Sequence, residues 1–157
     1  MDVPLPTQRL SPKNQVTLPK GARAIAAVEQ EGYVCGRPDV MVHPVSGDRF
    51  PILVLMGEEE LSRREDQLRA LPDIDPAQLQ YYINTLNGPV RRMAVDAQRR
   101  IVFPGHFVDY LKLEREVYMY STNVTVLAWH PDDWRRYSTV QDADPAGLPP
   151  PLPFLSV

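Results

Sequence analysis

AVDAQRRIVFP, Ala94–Pro104, is a polar turn that runs into an alternating strand and stops at a proline. Turn residues ahead of an apolar–polar alternation, with a breaker behind it, are the pattern of a short β-strand. Near the N-terminus LSPKNQVTLP, Leu10–Pro19, writes the same phrase. Pro104 minus Pro19 gives an offset of 85 residues. At that offset Leu10 meets Val95, Ser11 meets Asp96, Asn14 meets Arg99, Gln15 meets Arg100, and VTLP meets IVFP. An internal duplication is the most economical account of the repetition.

Working outward, each half reads as strand, turn, strand, proline, short helix and hairpin. After Pro19, the alanine-rich Gly21–Gln30 predicts a helix of a few turns. GYVCG, DVMVH and RFPILVLM follow as three extended pieces, with a hairpin turn at Gly47–Arg49. The middle is helical. Glu58–Leu71 puts Leu61, Leu68 and Leu71 close to a 3.6-residue period behind three acids. Asp75–Leu86 offers Asp75 as N-cap and Pro76 at the first helical position, with Leu79, Tyr82, Ile83 and Leu86 on one face. The two helices predict a helical hairpin joined by PDI. In the second half Gly105–Leu113 repeats the short helix. Glu116 onward forms a hairpin around Thr122-Asn123, and PDDWRRY is a helical turn seating Trp134. The proline-rich end reads as a mobile tail.

The chain has 157 residues, enough for one domain or two small ones, and a formal net charge of −3. That balance does not announce a nucleic-acid partner, so DNA binding requires basic residues gathered on one face. The single cysteine, Cys35, excludes an internal disulfide and fits a reducing, cytosolic setting. The N-terminal decapeptide has neither the basic nor the apolar region of a signal peptide. PILVLM, the longest apolar run, is too short to span a bilayer.

No catalytic constellation stands out. P-loop, dinucleotide, GxSxG and HExxH patterns are lacking, and His43, His106 and His130 are scattered without metal-ligand spacing. No cofactor or metal is therefore expected. Cys35 has Arg37 as its one local basic neighbour, which argues against a reactive thiol. Tyr118, Tyr120, Trp129 and Trp134 read as core, and Arg63, Arg64 and Arg69 as a solvated face. The chemistry lies in the repeated turn. Asp96 can bond its own backbone two residues on and can orient Arg100 through a charge-assisted bond, with Arg99 beside it. Such a turn contacts phosphates or guanine edges. The plainer reading is a surface ion pair that contributes little. The first copy has Arg9, Lys13, Lys20 and Arg23, which form either a phosphate-facing patch or a solvated set.

The stretch VDAQRRIVFPGHFVDYLKLEREVYMYSTNVTVLAWHPDDWRRY resembles the second half of the MraZ family, bacterial transcriptional regulators with two AbrB-type swapped-hairpin units. Asp96 and Arg100 match the family's Asp-x-x-x-Arg turn, and LAWHPDDW resembles its tryptophan-loop-tryptophan ending. RFPILVLMGEEELSRREDQL and DIDPAQLQYYINTLNG resemble its central elements. The likeness covers roughly Thr7 to Tyr137. Ser11 and Gln15 stand where the family has aspartate and arginine, while Pro19 and Arg23 keep its P-x-x-x-R ending. Arg99 replaces the usual glycine and Val108 the arginine after the proline. A non-glycine there implies a different turn type or a strained one.

The resemblance implies an α+β fold with two swapped-hairpin β-units, residues 7–57 and 89–137, related by a pseudo-two-fold axis. A helical hairpin at 58–88 lies outside them, and a tail follows at 138–157. It implies a non-enzymatic, cytoplasmic, nucleoid-associated regulator that binds repeated promoter sites on double-stranded DNA as a ring-like homo-oligomer larger than a dimer. Asp96, Arg99, Arg100, Lys13, Gln15, Lys20 and Arg23 are then the DNA-contacting residues. The alternative is an oligomeric interaction protein or antitoxin-like module that keeps the fold with weak or no DNA binding.

Overall fold

The two copies of the repeated phrase pair with each other. In the computed structural model, residues 5–20 and 30–143 are described, with side chains through 139. Strand β2, Gln15–Thr17, runs antiparallel to β6, Arg100–Val102, with Gln15 opposite Val102, Val16 opposite Ile101 and Thr17 opposite Arg100. Alternation sends Val16 and Ile101 inward, where both are buried, and leaves the other four on the outer face. Leu18 and Phe103, equivalent at the repeat offset, are buried in the same core.

Six further strands form an antiparallel sheet: β1 (Gln8–Arg9), β3 (Tyr33–Val42), β4 (Arg49–Met56), β5 (Arg91–Ala94), β7 (Glu116–Ser121) and β8 (Val126–Trp129). Their spatial order is β1-β7-β8-β4-β3-β5. Within it the hairpins β3–β4 and β7–β8 come one from each half, and β4–β8, β1–β7 and β3–β5 join the halves. The architecture is α+β, as expected from the sequence.

Four helices complete the described residues: α1 (Glu58–Arg69), α2 (Pro76–Asn87), α3 (Gly105–Leu111) and α4 (Pro131–Ala143). Asp75 caps α2, accepting from the N–H groups of Ala77 and Gln78, with Pro76 in the first turn as the sequence indicates. Phe107 of α3 is fully buried against β3. A Cβ at Gly36 would come within 2.6 Å of Met93 Cε and 3.2 Å of Phe107 Cε2, so a larger residue there requires the Met93 side chain to move.

Two apolar clusters result. One is centred on the ribbon, α3 and β7 (Val16, Leu18, Ile101, Phe103, Phe107, Val117). In the other, Phe50 and Trp129 pack with Tyr118, Tyr120, Trp134 and Tyr137. The four aromatics expected as core are in it; Trp134 lies 5.0 Å from the Tyr118 ring.

Several local expectations need correction. GYVCG and DVMVH are one ten-residue strand, β3. Pro38 is tolerated because β5 pairs only with Tyr33–Gly36, so the proline lies on an open edge. The turn after β3 is longer than Gly47–Arg49. His43 is buried and its Nδ1 accepts from the N–H groups of Val45 and Ser46, closing a loop from His43 to Asp48. Leu71 is exposed because α1 has already ended at Arg69. The helical turn over Pro131–Tyr137 continues to Ala143, since no breaker occurs before Pro145. Residues 21–29, and with them most of the expected helix Gly21–Gln30 and the candidate Arg23, lie outside the described residues, as do residues 144–157.

Candidate nucleic-acid interface

Each strand of the ribbon is entered through a turn, and the two turns are built alike. In the second, Asp96 Oδ1 accepts from the backbone N–H of Gln98 at 2.9 Å and of Arg100 at 2.8 Å. In the first, Ser11 Oγ accepts from Lys13 at 3.2 Å and Gln15 at 3.0 Å. The backbone repeats as well. Arg99 N–H donates to the Asp96 carbonyl at 3.0 Å, and Asn14 N–H to that of Ser11 at 2.9 Å. The carbonyls of Arg99 and Asn14 then accept from the opposite strand's Leu18 and Phe103, each at 2.9 Å.

Asn14 and Arg99 both sit in the left-handed region, at φ 63° and 62°. The arginine in the usual glycine position therefore keeps the turn type and bears the strain. Asparagine enters this region more readily than arginine does.

Charge separates the turns. Arg100 Nε donates to Asp96 Oδ2 at 2.7 Å, which leaves both Nη groups without a partner among the described residues. The pair is on the surface, with 43% of the arginine side chain and 37% of the aspartate exposed. The Arg100 backbone N–H, joined by its guanidinium and the Gln98 N–H, holds the Asp96 carboxyl below its usual range against the opposing effect of desolvation. Ser11 and Gln15 supply no such ion pair.

The ribbon thus brings Gln15 and Arg100 onto one face, together with Thr17 and Val102. Lys13 is exposed and lines an open depression of about 350 Å³ with Ser11, Pro12, Gln15 and Val102. Arg9 borders a second, of about 250 Å³, that reaches Arg100. Lys20 is exposed beyond β2 and is not drawn into either depression. Arg99 is half-buried, and its Nε is buried without a hydrogen-bond partner among the described residues. Thr17 and Val102 are additions to the sequence reading. Their period-2 spacing from Gln15 and Arg100 carried the signal, but only the pairing of β2 with β6 makes them one surface.

Elsewhere several arginines are neutralised in place. Arg63 and Arg64 bond Glu60, Arg69 pairs with Glu65, Arg92 with Glu58, and Arg37 with Asp39. Lys13, Lys20 and Arg99 make no ion pair among the described residues, and neither do Arg9, Arg49, Arg91, Lys112 and Arg115. Cys35 is buried, and burial followed by the nearby Glu58 pushes its thiol up to about 11, although Arg92 also lies near it. That is the environment of an inert thiol. Among the described residues no helix is long and apolar enough to cross a membrane.

Two near-equivalent turns feeding one antiparallel ribbon, on a sheet woven from both halves, define a duplicated α+β protein with a polar β-ribbon surface. Comparison with known proteins narrows the class. The chain is 26% identical over 104 residues to the transcriptional regulator MraZ of Desulforamulus reducens, covering 62% of this chain and 72% of that protein. It is 31% identical over 80 residues to the transcriptional regulator MraZ of Acetivibrio thermocellus, covering 51% of this chain and 55% of that one. No protein-family model matches the chain. Over these stretches the chain is similar to both MraZ regulators.

Proposed function

We propose that the protein is a sequence-specific DNA-binding transcriptional regulator that places the β2–β6 ribbon in the major groove. The observation that carries this reading is the arginine that Asp96 braces on the ribbon's outer face. Arg100 is braced by Asp96 on the ribbon, and the turns add Lys13 and Arg99, neither in an ion pair among the described residues. An arginine fixed through Nε, with both Nη groups free, is set for bidentate donation to guanine O6 and N7 or to a phosphate. The strained φ at Arg99 adds support. A cation at a left-handed position costs stability that a glycine would not, and such strain gathers at functional sites. The relatives' names as transcriptional regulators agree with this role.

The rest of the reading follows from weak contacts needing multiplicity. Two interlocked swapped-hairpin units per chain, 7–57 and 89–137, with the helical hairpin at 58–88 outside, would assemble into a homo-oligomer larger than a dimer. A ring of such subunits engages repeated promoter sites and gains avidity from each added contact. The protein then works in the cytoplasm on the nucleoid.

Binding to the DNA upstream of its own gene, measured across salt concentrations, tests the proposal. Affinity is expected to fall steeply, with a logarithmic slope of about −0.9 per phosphate contact. Light scattering is expected to give a mass above that of a dimer. No salt-dependent binding to that DNA would favour the fold-retaining interaction protein instead.

A further inference from the structure

The outer face of the ribbon is a two-by-two grid. Gln15 lies opposite Val102, and Thr17 opposite Arg100. At the repeat offset of 85, Gln15 is equivalent to Arg100 and Thr17 to Val102. Each strand therefore offers the same pair in the same order: a long hydrogen-bonding side chain, then, two residues on, a β-branched side chain with an exposed methyl. Val102 is 52% exposed, more than Val40, Val42 or Val124. A lone exposed valine is ordinary on a protein surface. This one is not isolated. Its repeat mate also carries a γ-methyl, both lie between the two hydrogen-bonding residues, and Val102 forms one wall of the depression that holds Lys13.

Resting on the DNA-binding reading above, we infer that Val102, with Thr17 as its counterpart, reads the 5-methyl group of thymine and so sets sequence preference. The dimensions agree. Opposed Cβ atoms on an antiparallel pair are about 5 Å apart and residues i and i+2 about 6.8 Å apart. The grid fits a major groove about 12 Å wide. Its two rows are spaced by about two base-pair steps of 3.4 Å. In that groove thymine alone presents a methyl, and apolar side chains contact it, while arginine selects guanine and glutamine adenine. Each strand is thus assigned a purine-reading residue and a thymine-reading one. Arg100 with Val102 and Gln15 with Thr17 would favour different base combinations, so the two halves of a chain read related but unequal sites. The occupant is DNA rather than an apolar protein surface because Lys13 and Arg100 border the valine, and the neighbouring acid, Asp96, is already bonded to Arg100.

The test replaces thymines of the bound promoter duplex one at a time by deoxyuridine, which removes only the methyl. Wild-type protein is expected to lose about fourfold in affinity at one or more positions, the factor for one buried methyl group. Val102→Ala is expected to bind the thymine duplex at that reduced level and to be indifferent to deoxyuridine at its position. Thr17→Ser is expected to do the same at a different position. Both residues point away from the core, and an unchanged melting temperature shows that the variants fold. If wild type binds the duplex and no deoxyuridine substitution matters, the methyl reading fails and the DNA-binding proposal stands. Failure to bind any duplex defeats both. A loss of oligomer mass in Val102→Ala would assign the valine to a subunit contact and overturn the inference.

Discussion

The first turn closes on a serine and an asparagine; the second closes on an aspartate and an arginine. Their backbones are nearly superposable in hydrogen bonding: two N–H groups on the leading side chain, a left-handed fourth residue, and a carbonyl that reaches the opposite strand. The shape of the turn thus needs only a short side-chain acceptor at its start and a residue that tolerates positive φ at its end. Ser11 and Asn14 satisfy both demands without charge. The second turn meets the same demands with a carboxylate and a left-handed arginine, and adds Arg100 as a cation on the surface. A turn that could be closed by serine and asparagine is instead built from groups that carry cations to the surface.

The largest effect should come from removing the cation that only one turn has. Arg100→Ala is expected to weaken DNA binding by about 1–3 kcal/mol if the lost contact is a bidentate base contact. Gln15→Ala, its repeat mate, should cost less, and Arg64→Ala on α1 should leave affinity unchanged. Equal affinities for all three in a titration would remove the ribbon from the binding surface. The converse experiment installs the second turn's chemistry in the first. Because Ser11 already occupies the acceptor position, Ser11→Asp with Gln15→Arg should fold without rearrangement and tighten binding. An unchanged affinity would mean that the first turn faces away from DNA or is covered by a neighbouring subunit.

A smaller effect separates strain from charge. Arg99→Gly removes the cost of a left-handed arginine and should stabilise the protein by about 1 kcal/mol, raising Tm by about 2–4 °C. The same change deletes a cation and should reduce the salt slope by about one contact. Asn14→Gly should alter Tm by a few tenths of that and leave the slope alone. If Arg99→Gly raised Tm with no change in slope, Arg99 would be a strained residue without a DNA contact.

This comparison also shows what the linear pattern carries and what it hides. The offset of 85 residues, the prolines, the α2 cap and the aromatic core are local or periodic features, and each is legible before folding. The Asp96–Arg100 bond was legible for the same reason, since its partners lie four residues apart. Two features were not. That Ser11 stands in for Asp96 depends on where two N–H groups point, and residue names alone suggested a lost motif. That Gln15, Thr17, Arg100 and Val102 share a face depends on a pairing between segments 85 residues apart, and nothing local specifies which strand a three-residue strand will choose. Strand ends were missed where tertiary context overrides a breaker, as at Pro38 on its open edge.

The smallest predicted difference is one of acid sensitivity. Asp96 has its carboxyl held below the usual range by the Arg100 N–H first, with the Arg100 guanidinium and Gln98 N–H adding to it. A lowered folded-state value means that the carboxylate's contribution is complete above its unfolded value, about 3.9. It is lost as the pH falls through the folded value. A protonated Asp96 accepts more weakly and releases Arg100. Ser11 does not titrate, so the first turn has no such transition. Amide chemical shifts followed from about pH 6 downward should show Gln98 and Arg100 moving together below the usual carboxylate pKa. Lys13 and Gln15, their mates at the repeat offset, should stay in place. Asp96→Asn keeps a side-chain oxygen to accept the two N–H groups but has no proton to gain, so it should abolish the movement while leaving the turn closed. If all four amides shift with a single midpoint, the acid response belongs to the whole fold, and the two turns differ in charge without differing in how they are held shut.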